Sequence, residues 1–417
     1  MDNQTIEQAL RQEAIRRRLE GERRCDICDD LQRSLRWFSK WWAEYQCNPQ
    51  MDFSERSRAP HCSATQLPEP IELAIVNVRL TLEAADCGLI GRQAIQHELA
   101  WLQVKPLPSL TAIQRVLAAH GLTHARGGST DSAYYPELIA WAPNAIHASD
   151  IITRHLYGGE VVQNFHTFDH YSHAVHLSQY ADKSSRTACG HLLENWATLG
   201  LPAVQQLDNE NAFSGGHTHP RVIGRVVRSC LFVGTEVLFD PEYEPERNYW
   251  VEGFHSLWLQ AFWSRQTFHD RAAVQAQVKN FAHWYHHRYH PPSLQGHTPA
   301  QMRHGFQPRR LSGATRRLIP EPLPITAGRI HFMRKVDGDG TIRLLNESWP
   351  IGPKWIGAYV CATVDTGQQS LSIWSKPDAT APWHHIKTRV FKLPQPVQPL
   401  LPIFRRKRAR CLEHWPG

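Results

Sequence analysis

The feature that most constrains this fold is a change of hydrophobic period near residue 143. Upstream, apolar residues recur at helical spacing, whereas "NAIHASDIIT", "GGEVVQNFHTFD" and "SHAVHLSQYA" alternate as strands do. A helix, the short buried strand "AVQQLD", the helix "PRVIGRVVRSCLFVG" and the strand "TEVLF" follow. Three antiparallel strands and then alternating helices and strands predict one mixed sheet covered by helices.

Length and charge suggest several domains and a nucleic-acid partner. A chain of 417 residues is too long for one ordinary domain. Its net charge is +7, with basic clusters such as "RRKRAR" at 405–410. Such clusters bind phosphate backbones, although a basic run can equally be a solvated surface, so the charge alone leaves the partner open.

Composition also bears on location. Nine irregularly spaced cysteines predict reduced thiols rather than a disulfide framework. Neither an uncharged apolar stretch of roughly 18 residues nor the apolar core of a signal peptide is found. We therefore expect no membrane association and a cytoplasmic, nucleoid-associated location.

Residues 1–48 have the pattern of a helix, a short polar turn and a second helix. This pattern predicts a helix-turn-helix DNA-binding unit whose second helix carries Arg36 and Lys40, although any helical hairpin gives the same pattern. Cys25 and Cys28 form a CxxC that could bind zinc with the downstream His61 and Cys62, but both cysteines of the CxxC fall within a helical pattern and no second CxxC follows.

A polar, proline-rich linker is predicted for residues 49–70, followed by a second helical unit at 71–125. Three helical segments predict a helix-turn-helix or winged-helix unit, with Ser109 as an N-cap and Gly121 after a helix end. Its candidate DNA-binding residues are Arg92 and Arg115.

The predicted catalytic core spans residues 135–312. Beyond it, strand candidates joined by Asp-Gly and Thr-Gly turns predict a small β-barrel at 325–395, and a basic tail follows at 396–417. The overall class is thus multidomain α+β, with N-terminal helix-turn-helix units and a mixed α/β catalytic core.

Three acidic residues lie at the ends or edges of the predicted core elements. Asp150 lies within the first strand, Asp208 ends the fourth, and Glu252 opens the helix after "PEYEPERN". Each acid taken alone would most simply be a solvated loop or cap residue. Together at one rim, however, three carboxylates would repel each other unless a cation were bound, and hard oxygen ligands select Mg²⁺ or Mn²⁺. Two ions about 4 Å apart, with Asp150 bridging, suit phosphodiester displacement.

Four local motifs carry a family resemblance. The segments "HASDIIT", "LDNENAF", "NYWVEGF" and "WYHHRYHPPSLQGHTPAQM" occur in this order. They resemble motifs of bacterial insertion-sequence transposases of the DDE superfamily, whose catalytic core is shared with retroviral integrases. The chain departs from that pattern at Glu210 and Tyr249, where the family usually has glycine.

The resemblance implies a ribonuclease-H-like core with Asp150, Asp208 and Glu252 as catalytic acids and ligands of two Mg²⁺ or Mn²⁺ ions. It also implies contacts with DNA around the core. The candidates there are Asn248, His255 and Arg288.

The implied activity is that of a DNA transposase or integrase, acting as a homo-oligomer on DNA. Such an enzyme cleaves transposon ends and joins the 3′-OH to target DNA by two-metal phosphodiester transesterification. The alternative is a catalytically idle, transposase-derived DNA-binding regulator or targeting protein. A plain ribonuclease H is a weaker alternative, because it needs no flanking helix-turn-helix units.

Overall fold

The computed structural model describes residues 3–54, 67–85, 88–123, 134–137, 139–215 and 219–406. It divides into two compact units, residues 1–66 and 67–417. Most of the predicted linker and half of the predicted basic tail therefore lie outside the described residues. Among the described helices, none is long and apolar enough to cross a membrane.

The described part of the first unit contains three helices, α1 (Asn3–Leu19), α2 (Arg24–Asp30) and α3 (Leu35–Cys47). Buried apolar residues of all three, including Ile27 and Phe38, form its core. Ser34 starts α3, because its side chain accepts a 3.2 Å hydrogen bond from the Trp37 amide. The predicted helices are present, and their DNA-binding role stays a prediction.

A second set of three helices opens the larger unit, namely α4 (Glu69–Ala84), α5 (Arg92–Trp101) and α6 (Leu110–Ala119). Their apolar faces pack together around Ile75, Ile95 and Ile113. Both predicted caps are confirmed, since the Ser109 side chain accepts from the Ala112 amide and Gly121 has a φ of +69° after α6 ends.

A nine-stranded mixed sheet organises the rest of this unit. Strand β1 pairs antiparallel with β2 and parallel with β4, β2 pairs antiparallel with β3, and β4 pairs parallel with β5. This is the predicted arrangement of the core strands. They are β1 (Ile146–His155), β2 (Val161–Asp169), β3 (Val175–Tyr180), β4 (Val204–Leu207) and β5 (Glu236–Phe239).

Helices cover both faces of the sheet, which is why the four residues of β4 are all buried. On one face α7 (Ser185–Thr198) and α9 (Arg225–Phe232) pack against apolar residues of β4 and β5. On the other face α10 (Tyr249–Ala261) and α11 (Arg271–His287) pack against β1 and β2. The one-turn helices are α8 (Asn211–Ser214), α12 (Pro299–Met302) and α13 (Gly313–Arg316).

The separate small β-barrel predicted for 325–395 requires correction. Strand β7 (Arg329–Lys335) lies parallel to β5, with Val237 opposite Ile330, and so continues the core sheet. The remaining strands of the large sheet follow in the order β7-β10-β11-β12. They are β10 (Tyr359–Asp365), β11 (Ser370–Ser375) and β12 (His384–Val390).

Of the two turns predicted in this segment, one connects strands that pair with each other and the other does not. The predicted Thr-Gly hairpin is confirmed, because β10 and β11 pair with Asp365 opposite Ser370. The predicted pairing across the Asp-Gly turn is wrong, since β8 (Thr341–Leu344) pairs with β9 (Glu347–Pro350) and not with β7. The Asp-Gly turn suggested that the strands on either side of it pair with each other. Strand β7 pairs with β5 instead, whose edge offers unpaired backbone N–H and C=O groups. The short strands β6 (Ile325–Thr326) and β13 (Val397–Gln398) form a further parallel pair.

Candidate metal centre and active site

Three aspartates stand in a row where strands β1, β4 and β5 run side by side. Ser149 pairs with Leu207, and Leu207 pairs with Phe239. The residues that follow these three are Asp150, Asp208 and Asp240. Because neighbouring strands lie about 4.8 Å apart and side chains alternate between faces, the three carboxyl groups share one face of the sheet.

Helix α10 brings Glu252 to the same place. Val251, Phe254 and Trp258 are buried on one side of this helix and anchor it against the core next to β1. Glu252 lies in the first turn and retains 45% side-chain exposure. The helix therefore holds Glu252 at the surface above a buried, rigid support.

His255, one turn after Glu252, links the helix to the strand. Its Nδ1 atom is 3.6 Å from Asp150 Oδ2 and 3.8 Å from Glu252 Oε2. One donor atom from each of these three side chains lies within 4.8 Å of the others, an arrangement that could hold a metal ion. The structure thus brings Asp150 and Glu252 together, as predicted, and adds an imidazole that was not predicted as a ligand.

Asp208 is coupled to this group through Asp150. Burial, together with the neighbouring Asp150 carboxylate, raises the pKa of Asp208 to about 7. Burial likewise raises the pKa of Asp150, while His255 opposes that shift. Since unpaired charges are costly in such surroundings, the donor set fits a divalent cation that would neutralise it.

Asp240 is a fourth carboxyl group at this site, fully buried, that the sequence analysis missed. Its Oδ1 accepts a 2.8 Å hydrogen bond from Gln206, whereas Oδ2 is buried without a hydrogen-bond partner among the described residues. Burial raises its pKa to about 8. A sequence signal was present, because "TEVLFD" ends a buried strand on aspartate just as "AVQQLD" does.

Arg334 fastens the loops after β4 and β5 to strand β7. Its Nη2 donates to the Asn209 side-chain oxygen at 2.8 Å, and its Nη1 donates to the Asp240 carbonyl at 2.7 Å. Asn209 in turn donates to the same carbonyl at 2.8 Å. Nothing in the sequence signals this role, because it depends on β7 joining the sheet beside β5.

A cavity of about 860 Å³ adjoins the row of aspartates. Asn248 lines it, and both polar atoms of its buried amide lack a hydrogen-bond partner among the described residues. Other lining residues are Asp208, Asp240, Glu242, Arg334 and Arg343.

Neither of the two departures from the transposase motif strains the backbone. Glu210 has a φ of −58°, so its backbone does not require glycine, and its amide donates a 3.0 Å hydrogen bond that orients Asp208. Tyr249 has a φ of −57° and begins α10 with its ring 4.9 Å from that of Trp250. Both substitutions are compatible with the placement of the acids.

Two of the predicted DNA contacts need correction. His255 is only 5% exposed and Asn248 only 3%, so neither presents its side chain on the outer surface. Both lie on the inward side of α10 or at its start, where the helix packs on the sheet. Asn248 faces the cavity, and His255 faces the two carboxylates.

The remaining candidates are exposed. Arg288 is paired with Glu98 at 3.2 Å and lies 5.1 Å from the ring centroid of Trp101. Lys40 lies over the ring of Trp41 at 4.4 Å. The exposed candidates are Arg36, Lys40, Arg92, Arg115 and Arg288.

Zinc binding in the first unit gains no support. Cys25 is exposed while Cys28 is buried, so the two thiols do not point to one site. The downstream candidates His61 and Cys62 lie outside the described residues.

Comparison with known proteins finds integrase cores among the structural neighbours. The magnesium-bound catalytic core of HTLV-2 integrase (trimeric form) shares 16% identity, covering 39% of this chain and 99% of that one, with a TM-score of 0.29. A simian T-cell lymphotropic virus intasome in complex with PP2A regulatory subunit B56 gamma shares 14%, covering 73% and 96%, with a TM-score of 0.33. The BIV integrase catalytic core shares 16% identity, covering 38% and 93%, with a TM-score of 0.26.

No family model and no curated protein matches the chain. At these TM-scores the structural similarities do not establish the chemistry or the partners of this chain.

Proposed function

We propose that this chain is a DNA-cleaving and DNA-joining enzyme of the transposase and integrase type, with Asp150, Asp208 and Glu252 as its catalytic carboxylates. One observation carries the proposal. Half-buried Asp150 stands beside Asp208 in the sheet, and its carboxylate lies within 4.8 Å of that of Glu252, which a buried helix face holds in place.

The chemistry follows from that arrangement. Two divalent cations, when bound, would activate the attacking hydroxyl and stabilise the leaving oxygen of a phosphodiester. Asp150 lies between the other two acids, so we expect it to be a ligand of both ions. Asp208 would be the further ligand of one ion and Glu252 that of the other. The Glu210 amide orients Asp208 by a hydrogen bond, and the buried face of α10 holds Glu252 in position.

The substrate in this proposal is the pair of inverted-repeat ends of a bacterial insertion sequence, followed by target DNA. Sequence-selective binding of such ends would come from the helices of 1–48 and 71–125, with exposed Arg36, Lys40, Arg92 and Arg115 as phosphate or base contacts. A homo-oligomer would bring two ends together on the nucleoid, in the cytoplasm.

Strand cleavage by the full-length protein tests the proposal. DNA carrying the inverted repeats that flank the gene is incubated with Mg²⁺ or Mn²⁺, and nicking and strand transfer are measured. Asp150→Asn, Asp208→Asn and Glu252→Gln should each lower the rate at least about 100-fold while DNA binding persists.

A matched control lies in the preceding loop. Glu244 binds Arg247 at 2.9 Å and Tyr359 at 2.5 Å, so Glu244→Gln removes a nearby carboxylate with structural partners of its own. We expect this variant to retain most activity. Wild-type protein that binds the repeat ends but never cleaves them would instead identify the chain as a regulator.

A further inference from the structure

His255 lies on the packed face of α10, beside the carboxylates of Asp150 and Glu252. Its ring is 5% exposed, and its Nδ1 points at Asp150 and Glu252 at 3.6 and 3.8 Å. Its Nε2 is buried without a hydrogen-bond partner among the described residues. The Nδ1 side of the imidazole therefore faces the two carboxylates, and the Nε2 side makes no competing hydrogen bond with the described residues.

An aromatic support fixes the direction of this imidazole. His166 pairs with Asp150 across the β1–β2 ladder, and its ring centroid lies 5.1 Å from that of His255 in an edge-to-face arrangement. The His166 ring also contacts Phe254 and Trp258, at 5.4 and 4.9 Å. A ring packed in this way cannot rotate away from the carboxylates without displacing the core.

The geometry points to His255 as a metal ligand that completes a two-carboxylate, one-imidazole site with Asp150 and Glu252. Two donors bound to one ion at about 2.1 Å lie at most about 4.2 Å apart, and all three donor atoms are already within 4.8 Å of one another. Side-chain adjustments of less than about 1 Å would bring them into coordination.

An imidazole ligand changes which ion the site prefers. Mg²⁺ takes oxygen ligands and water, whereas first-row transition ions accept imidazole nitrogen readily. We therefore assign this site to Mn²⁺ in preference to Mg²⁺, unlike a site made of carboxylates alone. The inference shares with the proposed function its use of Asp150 and Glu252 as ligands, but it concerns binding and does not require DNA cleavage.

Metal binding to the full-length protein tests the assignment without DNA. Mn²⁺ is titrated by electron paramagnetic resonance, Mg²⁺ by competition, and pulsed measurements detect nitrogen coupled to the bound Mn²⁺. We expect wild type to prefer Mn²⁺ by at least about tenfold and to show imidazole nitrogen coupling. His255→Asn, which replaces nitrogen by an amide oxygen, should remove the coupling and bring the Mn²⁺/Mg²⁺ preference towards unity.

The controls separate this site from the other histidines of the chain. His269 is exposed, with its ring 5.5 Å from that of Tyr157, so His269→Asn should change neither quantity. The variant Asp150→Asn/Glu252→Gln should abolish the nitrogen-coupled ion. If His255→Asn is too unstable to purify, absence of nitrogen coupling in wild type alone overturns the assignment.

The possible results also distinguish the two proposals. Nitrogen-coupled Mn²⁺ without any DNA cleavage would support the His255 site and contradict the proposed function. Metal-dependent cleavage with no nitrogen coupling, and with an ion preference unchanged in His255→Asn, would support the proposed function and overturn the His255 site.

Discussion

Arg334 on strand β7 donates a 2.8 Å hydrogen bond to the side chain of Asn209, the residue directly after Asp208. Because Arg334 also donates to the Asp240 carbonyl, two loops at the candidate active site depend on a residue that lies 125 and 94 positions further along the chain. The C-terminal strands are thus part of the site's support and not an appendage to it.

Replacing Arg334 by glutamine should therefore loosen Asp208. We expect strand transfer to fall at least about tenfold, with the apparent affinity for Mg²⁺ or Mn²⁺ falling as well, because groups that orient metal ligands typically contribute about 10–100-fold to metal affinity or activity. Activity measured against metal concentration checks this, since saturating metal should restore part of the loss.

A neighbouring arginine provides the control. Arg343 lines the same cavity with an exposed side chain, and only its backbone carbonyl accepts from Arg334. Arg343→Gln should leave the metal dependence as in wild type. An equal effect of both substitutions would mean that metal affinity and activity depend on positive charge in the cavity and not on the hydrogen bond from Arg334 to Asn209.

The segment "HTPAQMR" fastens the edge of the core through a buried ion pair. Thr298 caps α12 with a capping box, and Arg303 after it donates to Asp169 at 2.6 Å. Asp169 is fully buried at the end of β2. Arg303→Leu should lower the free energy of unfolding by about 3–5 kcal/mol, because it leaves a buried carboxylate without its positively charged partner.

Urea denaturation checks this prediction. Arg310, which donates only to the Thr198 carbonyl from an exposed position, gives the control variant Arg310→Leu, with an expected change within about 0.5 kcal/mol. Adding Asp169→Asn to Arg303→Leu should recover part of the lost stability. A double variant as unstable as the single one would show that the carboxylate charge is not the cause.

His286 should make the stability of the fold depend on pH. Burial lowers its pKa to about 4, and its Nε2 accepts a 3.0 Å hydrogen bond from the Val175 amide, which requires the neutral ring. In the unfolded chain the pKa returns to about 6.5. Between these values the unfolded state binds the extra proton, so the contribution of His286 is complete above pH 6.5 and is lost as the pH falls towards 4.

Comparison with His286→Gln isolates this contribution, because glutamine keeps an acceptor but does not titrate. Between pH 7.5 and 5.0 the wild-type unfolding free energy should fall by about 1–2 kcal/mol more than that of the variant. The two proteins must be compared because Asp208 and Asp240, whose pKa values are raised, make the unfolding free energy rise as the pH falls and so oppose the effect of His286. Parallel pH profiles for both proteins would contradict the prediction.

The sequence predicted those parts of the site that local patterns determine. Asp150 and Asp208 were predictable because parallel strands with clear burial patterns place their following residues side by side. His255 was misassigned, because the family resemblance suggested a DNA contact there, whereas its position four residues after Val251 places it on the apolar, inward face of α10. Arg334 was not predictable, because the pairing of β7 with β5 depends on the whole sheet and not on either turn of its own segment.

DNA binding by the first unit is tested best at Arg36. This residue is exposed on α3, the helix that follows the short turn, whereas Arg16 on α1 is engaged by Glu13 and Glu20, each at 2.6 Å. If α3 contacts DNA, Arg36→Gln in the full-length protein should weaken binding to the repeat ends and reduce the slope of log affinity against log salt by about 1. Arg16→Gln removes the same charge from a paired position and should change that slope little. Equal slopes for Arg36→Gln and wild type would place the DNA contact elsewhere, since a phosphate contact cannot be lost without releasing fewer counterions.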